Sequence, residues 1–118
     1  MSLTAGLDEG TAKACVILTT TETEAEARTL ATGLLEQSLA ACIQLSRIDS
    51  LYLWEGEVAS EPEIRLVIKT RHSLRAAASA YIEAHHPYEV PQVIVLEASG
   101  VAPGYLDWLF EVTGTGRS

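Results

Sequence analysis

Residues 41–70 read ACIQLSRIDSLYLWEGEVASEPEIRLVIKT, and their alternation decides the fold class. Ala41, Ile43 and Leu45 alternate with Cys42, Gln44 and Ser46, and Leu51 and Leu53 alternate with Ser50, Tyr52 and Trp54. Beyond Glu55-Gly56, Ile64, Leu66 and Ile68 alternate with Arg65, Val67 and Lys69. A period of two is that of a strand with one buried face. Glu55-Gly56 between two such runs predicts a tight hairpin turn, with arms of roughly twelve residues each. Pro62 lacks an N–H, so its segment belongs at an edge or a bulge. Arms of this length outrun a small sheet, and their ends offer unpaired edges to another chain. Tyr52, Trp54 and Gly56 are therefore the hairpin residues expected at an interface between copies.

Upstream, Ala14–Thr20 is a short β-branched run that predicts a buried strand. Thr23 and Glu26 form a capping box ahead of Ala27, Leu30, Ala31, Leu34 and Leu35, spaced as one face of a helix ending near Ser38. Downstream, Leu74, Ala77, Ala78, Tyr81 and Ile82 predict a second helix, which must stop before Pro87. Val93–Ala98 is a fourth strand, and Pro103 opens a short last helix carrying Tyr105, Trp108 and Leu109. The order β-α-β-β-α-β plus a terminal helix is the ferredoxin-like α+β plan, an antiparallel sheet with helices on one face. One domain is expected over 13–113, with a disordered leader at 1–12 and a flexible tail at 114–118.

Composition narrows the partners. Eight Lys and Arg against sixteen Asp and Glu give a net charge of −8 over 118 residues. That balance argues against nucleic acid and against anionic membrane surfaces. The third strand, EIRLVIKT, also lacks the aromatics with which a sheet stacks RNA bases. The longest uncharged stretch, Gln37 to Ser46, is ten residues, half of what spans a bilayer. Without a basic start or an apolar core at the N-terminus, and with two cysteines that form no CxxC, a cytoplasmic location is expected.

Three clusters could carry chemistry. His85-His86-Pro87 places adjacent imidazoles at a helix C-terminus, where the helix dipole favours them when charged. Imidazole is also a common ligand of Cu(II), Ni(II) and Zn(II), but neighbours on a helix point about 100° apart. The pair chelates one ion only where the helix unwinds before the proline. Arg65, Lys69 and Arg71 share one strand face by parity, and could hold a phosphate or carboxylate or pair with the surplus acids. Glu55, Glu57, Glu61 and Glu63 crowd the hairpin tip, a solvated tip or a hard-cation site. Cys15 and Cys42 read as buried thiols. No acid–base or nucleophile constellation is visible, so binding rather than catalysis is expected, with no organic cofactor.

Five ordered segments together carry a resemblance: LAAC at 39–42, SLYLWEG at 50–56, Lys69-Thr70, HPYEVP at 86–91 and YLDWL at 105–109. In order and spacing they resemble the CutA family of divalent-cation tolerance proteins, from about Ala14 to Phe110. The resemblance implies a ferredoxin-like fold and a tight homotrimer, akin to the PII signalling trimers, in which the hairpin arms join sheets between subunits. It implies a role in tolerance of copper and other divalent cations. A copper site in this family joins a first-strand thiol to paired histidines. Those histidines match His85 and His86, whereas the thiol position is Thr19, which is no soft ligand. A Cu(II) or other divalent transition-metal site resting on the two histidines is the expectation. A PII-like trimer binding an anionic metabolite through Arg65, Lys69 and Arg71 is the alternative.

Overall fold

The computed structural model describes residues 13–114; the expected leader, and residues 115–118 of the expected tail, lie outside them. Four strands and three α-helices follow one another as β1 (Ala14–Thr21), α1 (Glu24–Glu36), β2 (Cys42–Trp54), β3 (Glu57–Arg71), α2 (Arg75–His85), β4 (Ile94–Ala98) and α3 (Pro103–Val112). The strands form one sheet in the order β2-β3-β1-β4, every pair antiparallel. This is the expected ferredoxin-like α+β plan.

Thr23 caps α1 with the full reciprocal box, accepting from the Glu26 N–H at 3.1 Å while its own N–H donates to Glu26 Oε1 at 3.2 Å. The helix closes at Glu36, two residues short of the expected Ser38. There the Leu39 N–H reaches the Leu34 carbonyl and the Ser38 N–H the Leu35 carbonyl, with Ser38 at φ +59°. This is a Schellman cap in which Ser stands where Gly is usual. Of the expected apolar face, Ala27, Leu30, Ala31 and Leu34 are buried, while Leu35, at the margin of that arc, is exposed.

Parity sorts the sheet. Cys15, Ile17, Thr19 and Thr21 of β1 face the same side as Ile64, Leu66, Ile68 and Thr70 of β3, with Thr19 opposite Leu66 and Cys15 opposite Thr70. Against that side pack Leu30 and Leu34 of α1 and Ala78 and Ile82 of α2, making the main core. The terminal helix α3 lies on the other side, over Lys69 and Arg71. Helices therefore cover parts of both faces, where one face was expected.

β1 pairs with β3 only over Ile64–Arg71, whereas β2 pairs with β3 along its whole length to Trp54↔Glu57. Residues 57–63 of β3 and their β2 partners thus form a two-stranded arm that leaves the body of the sheet. Pro62 falls within this arm, on the side of β3 where no β1 N–H or carbonyl waits for a partner. Its tip turns on Glu55 at φ +51° and Gly56 at φ +82°, the two positive φ values of a type I′ hairpin.

Candidate functional site

The paired histidines diverge because of the proline that follows them. Pro87 excludes the α conformation from the preceding residue, and His86 leaves α2 with φ −78° and ψ 139°. His85, still helical, donates from Nδ1 to the Tyr81 carbonyl at 2.9 Å and stacks on the Tyr81 ring with centroids 4.0 Å apart. His86 instead turns back to the end of β1. Its Nδ1 accepts the Tyr88 N–H at 3.0 Å, so that nitrogen carries no proton. The proton is then on Nε2, which donates to the Thr20 carbonyl at 2.7 Å.

Tyr88 extends this connection to the arm. Its hydroxyl donates to Glu63 Oε2 at 2.7 Å, Ser50 Oγ donates to Glu63 Oε1 at 2.6 Å, and Thr20 Oγ1 donates to Oε2 at 3.3 Å. One carboxylate thus ties together β1, β2, β3 and the segment after α2. Burial, then the Glu63 carboxylate, holds the Tyr88 hydroxyl well above the usual phenol range. This hub is invisible to periodicity, since Glu63 meets partners 13, 25 and 43 residues away. No local signal singles it out, because Glu57 and Glu61 occupy the same face of β3.

As a chelate for Cu(II) or a similar ion, the pair does not fit. Ligation needs an unprotonated nitrogen with a free lone pair from each ring, and both nitrogens of His86 are already engaged. Thr19 is fully buried on the face toward α1 and α2, its hydroxyl without a partner. Cys15 is buried too, and burial pushes its thiol up to about 11, away from the thiolate a metal requires. Among the described residues no three His, Cys, Asp or Glu side chains are grouped to hold a metal ion.

The basic trio is split by its surroundings. Arg71 donates from Nη2 to the Phe110 carbonyl at 2.6 Å and from Nε to Thr113 Oγ1 at 3.0 Å, capping α3 and lying 4.2 Å over the Phe110 ring. Lys69 sits opposite Cys42 in the ladder, with its Nζ 5.8 Å from the Tyr105 ring centroid. Burial and then the neighbouring Cys42 raise the Tyr105 hydroxyl above the usual phenol range. Arg65, opposite both Ser46 and Thr20, is exposed and makes no ion pair among the described residues. On the arm, Tyr52 and Trp54 share the face of Glu63 and are 40% and 65% exposed. With Tyr88 and Val90 they line a groove of about 920 Å³.

A four-stranded antiparallel sheet with a central hairpin longer than its neighbours can pair defines a class of ferredoxin-like α+β domains. Solved members superpose closely: the divalent ion tolerance protein CutA1 from Ehrlichia chaffeensis has a TM-score of 0.84 at 30% identity, over 89% of this chain and 99% of that one. CutA from Synechococcus elongatus has a TM-score of 0.85 at 36% identity, over 88% and 93%. The model of the CutA1 divalent ion tolerance protein family matches residues 15–112, and the chain belongs to that family. It is 39% identical over 100 residues to the divalent-cation tolerance protein CutA of Thermus thermophilus, covering 84% of this chain and 97% of that protein. The chloroplastic CutA of Arabidopsis thaliana is 38% identical over 100 residues, and the chain spans 55% of that longer relative.

Proposed function

We propose that this chain serves divalent-cation tolerance as a homotrimeric binding protein without catalytic chemistry of its own. The observation that carries the reading is the arm. Leu51, Leu53, Trp54 and Val58 are 65–74% exposed around a two-stranded ribbon whose outer edges have no strand partner among the described residues. Ile94 and Leu96 on the face of α3 are nearly half exposed as well. Apolar side chains on unpaired edges favour sheet continuation into further copies. Light scattering at micromolar concentration should give three times the 12.7 kDa of one chain; a single-chain mass overturns the reading.

For the ion itself, His85 is the imidazole engaged at Nδ1 whose Nε2 has no hydrogen bond among the described residues, and Cu(II) ranks above Ni(II) and Zn(II) for such a donor. One imidazole gives modest affinity, so His85→Ala is expected to weaken Cu(II) at least tenfold, about 1.4 kcal/mol. Unchanged calorimetric affinity removes His85 from the metal reading. The second reading, a PII-like sensor of an anionic metabolite, draws support from Arg65, an exposed guanidinium with no ion pair among the described residues. With Arg71 committed to α3, it rests on Arg65 and Lys69. Calorimetry of nucleotides and dicarboxylates against the parent protein tests it: no heat from any of them sinks it, and any heat seen should be lost in Lys69→Glu.

A further inference from the structure

We infer that His86 is a positioning residue, a neutral imidazole strut that fixes the 86–93 segment between β1 and the hairpin arm, and that it is not a metal ligand in this chain. The ring joins two backbone groups 68 residues apart: its Nε2–H donates to the Thr20 carbonyl and its Nδ1 accepts from the Tyr88 N–H. Both are buried or half-buried groups that would otherwise stand unpaired. The ring also meets the Tyr88 ring edge-on, with centroids 4.8 Å apart. That contact and the backbone bond together aim the Tyr88 hydroxyl at Glu63. His86 therefore acts on the arm through Tyr88, whose position sets one of the three hydroxyl donors that anchor the Glu63 carboxylate.

Coordination and support are incompatible in this ring. A metal on Nδ1 displaces the Tyr88 N–H, and a metal on Nε2 displaces the proton given to Thr20. The neighbouring His85 has no such commitment at Nε2 among the described residues, so the two adjacent imidazoles have different work. Sequence adjacency hides this, because the backbone changes conformation between them.

The test reads tautomer, stability and copper affinity in the full-length protein. Long-range proton–nitrogen NMR spectra should show His86 as the Nε2–H tautomer near neutral pH; an Nδ1–H tautomer overturns the assignment. His86→Ala should lower the melting temperature by on the order of 5 °C or more. His86→Gln keeps a donor near the Nε2 position and His86→Asn an acceptor near the Nδ1 position, so each should recover part of that loss. Absence of recovery in both overturns the strut. In the folded Gln and Asn variants, calorimetric Cu(II) affinity should stay within twofold of the parent; a tenfold fall with the melting temperature unchanged makes His86 a ligand and ends the proposal. Copper affinity indifferent to both His85 and His86 removes the proposed copper role of His85, yet supports the strut, because the tautomer and the thermal rescue report on it independently.

Discussion

The body and the arm are built from the same two strands and obey different rules. In the body, residues 64–69 of β3 have partners on both sides, and Ile64, Leu66 and Ile68 are covered by α1 and α2. Along the arm, residues 57–63 pair only with β2, and Leu53 and Val58 stand more than 70% exposed. The body is stable by its own burial. The arm is a ribbon of two strands, a marginal structure alone, held at its base by the Glu63 hydroxyl hub; in the proposed trimer, other copies complete it.

The comparison breaks first in the body. Leu66→Ala removes a side chain with no exposed surface, flanked by Leu45 and Thr19 in the ladder, and should destabilise the chain by roughly 2–5 kcal/mol. Chemical unfolding reads it; a loss below about 1 kcal/mol means the core relaxes far more than its packing suggests. Gly56→Val comes next, at the arm's tip. Its new Cβ meets nothing within 4 Å, so the cost is conformational, from φ +82°. That strain is about 1–3 kcal/mol and should loosen assembly, seen as a lower mass on dilution, with body helicity intact. An unchanged mass and melting temperature would detach the tip from the assembly.

Alkaline pH sharpens the contrast within the body. The Cys15 thiol is raised from 9.0 to about 11 by burial, so folding favours its protonated form. Its contribution is fully present below the unfolded value of 9.0 and is lost as pH climbs through about 11. Urea midpoints should fall more steeply across that window in the parent than in Cys15→Ala. Equal slopes assign the alkaline loss elsewhere, for instance to the Tyr88 and Tyr105 hydroxyls, which shift in the same direction. The smallest effect belongs to the α1 cap. Ser38→Gly relieves φ +59° in a Schellman position and should add about 0.5–1 kcal/mol. A loss on that substitution means the Ser38 side chain makes a contribution beyond its backbone shape.

What the sequence determined by itself is everything fixed by neighbours a few residues apart. The Thr23–Glu26 box, the Glu55-Gly56 turn, the break before Pro87 and the alternation through 41–70 each depend on local geometry, and each stands where the sequence puts it, with boundaries shifting by one or two residues. The edge position of Pro62 followed from its missing N–H, and the family from five ordered segments. Only the tertiary structure decided what distant partners do with those elements. Arg71 looked free on its strand face until α3 brought the Phe110 carbonyl to it across 39 residues. His85 and His86 looked alike until a carbonyl at the end of β1, 66 residues earlier, accepted a hydrogen bond from one of them. Glu63 read as one more acid near a solvated tip until three hydroxyls converged on it. Periodicity encodes which face a residue takes; what waits on that face is set by how the sheet order β2-β3-β1-β4 folds the chain back on itself.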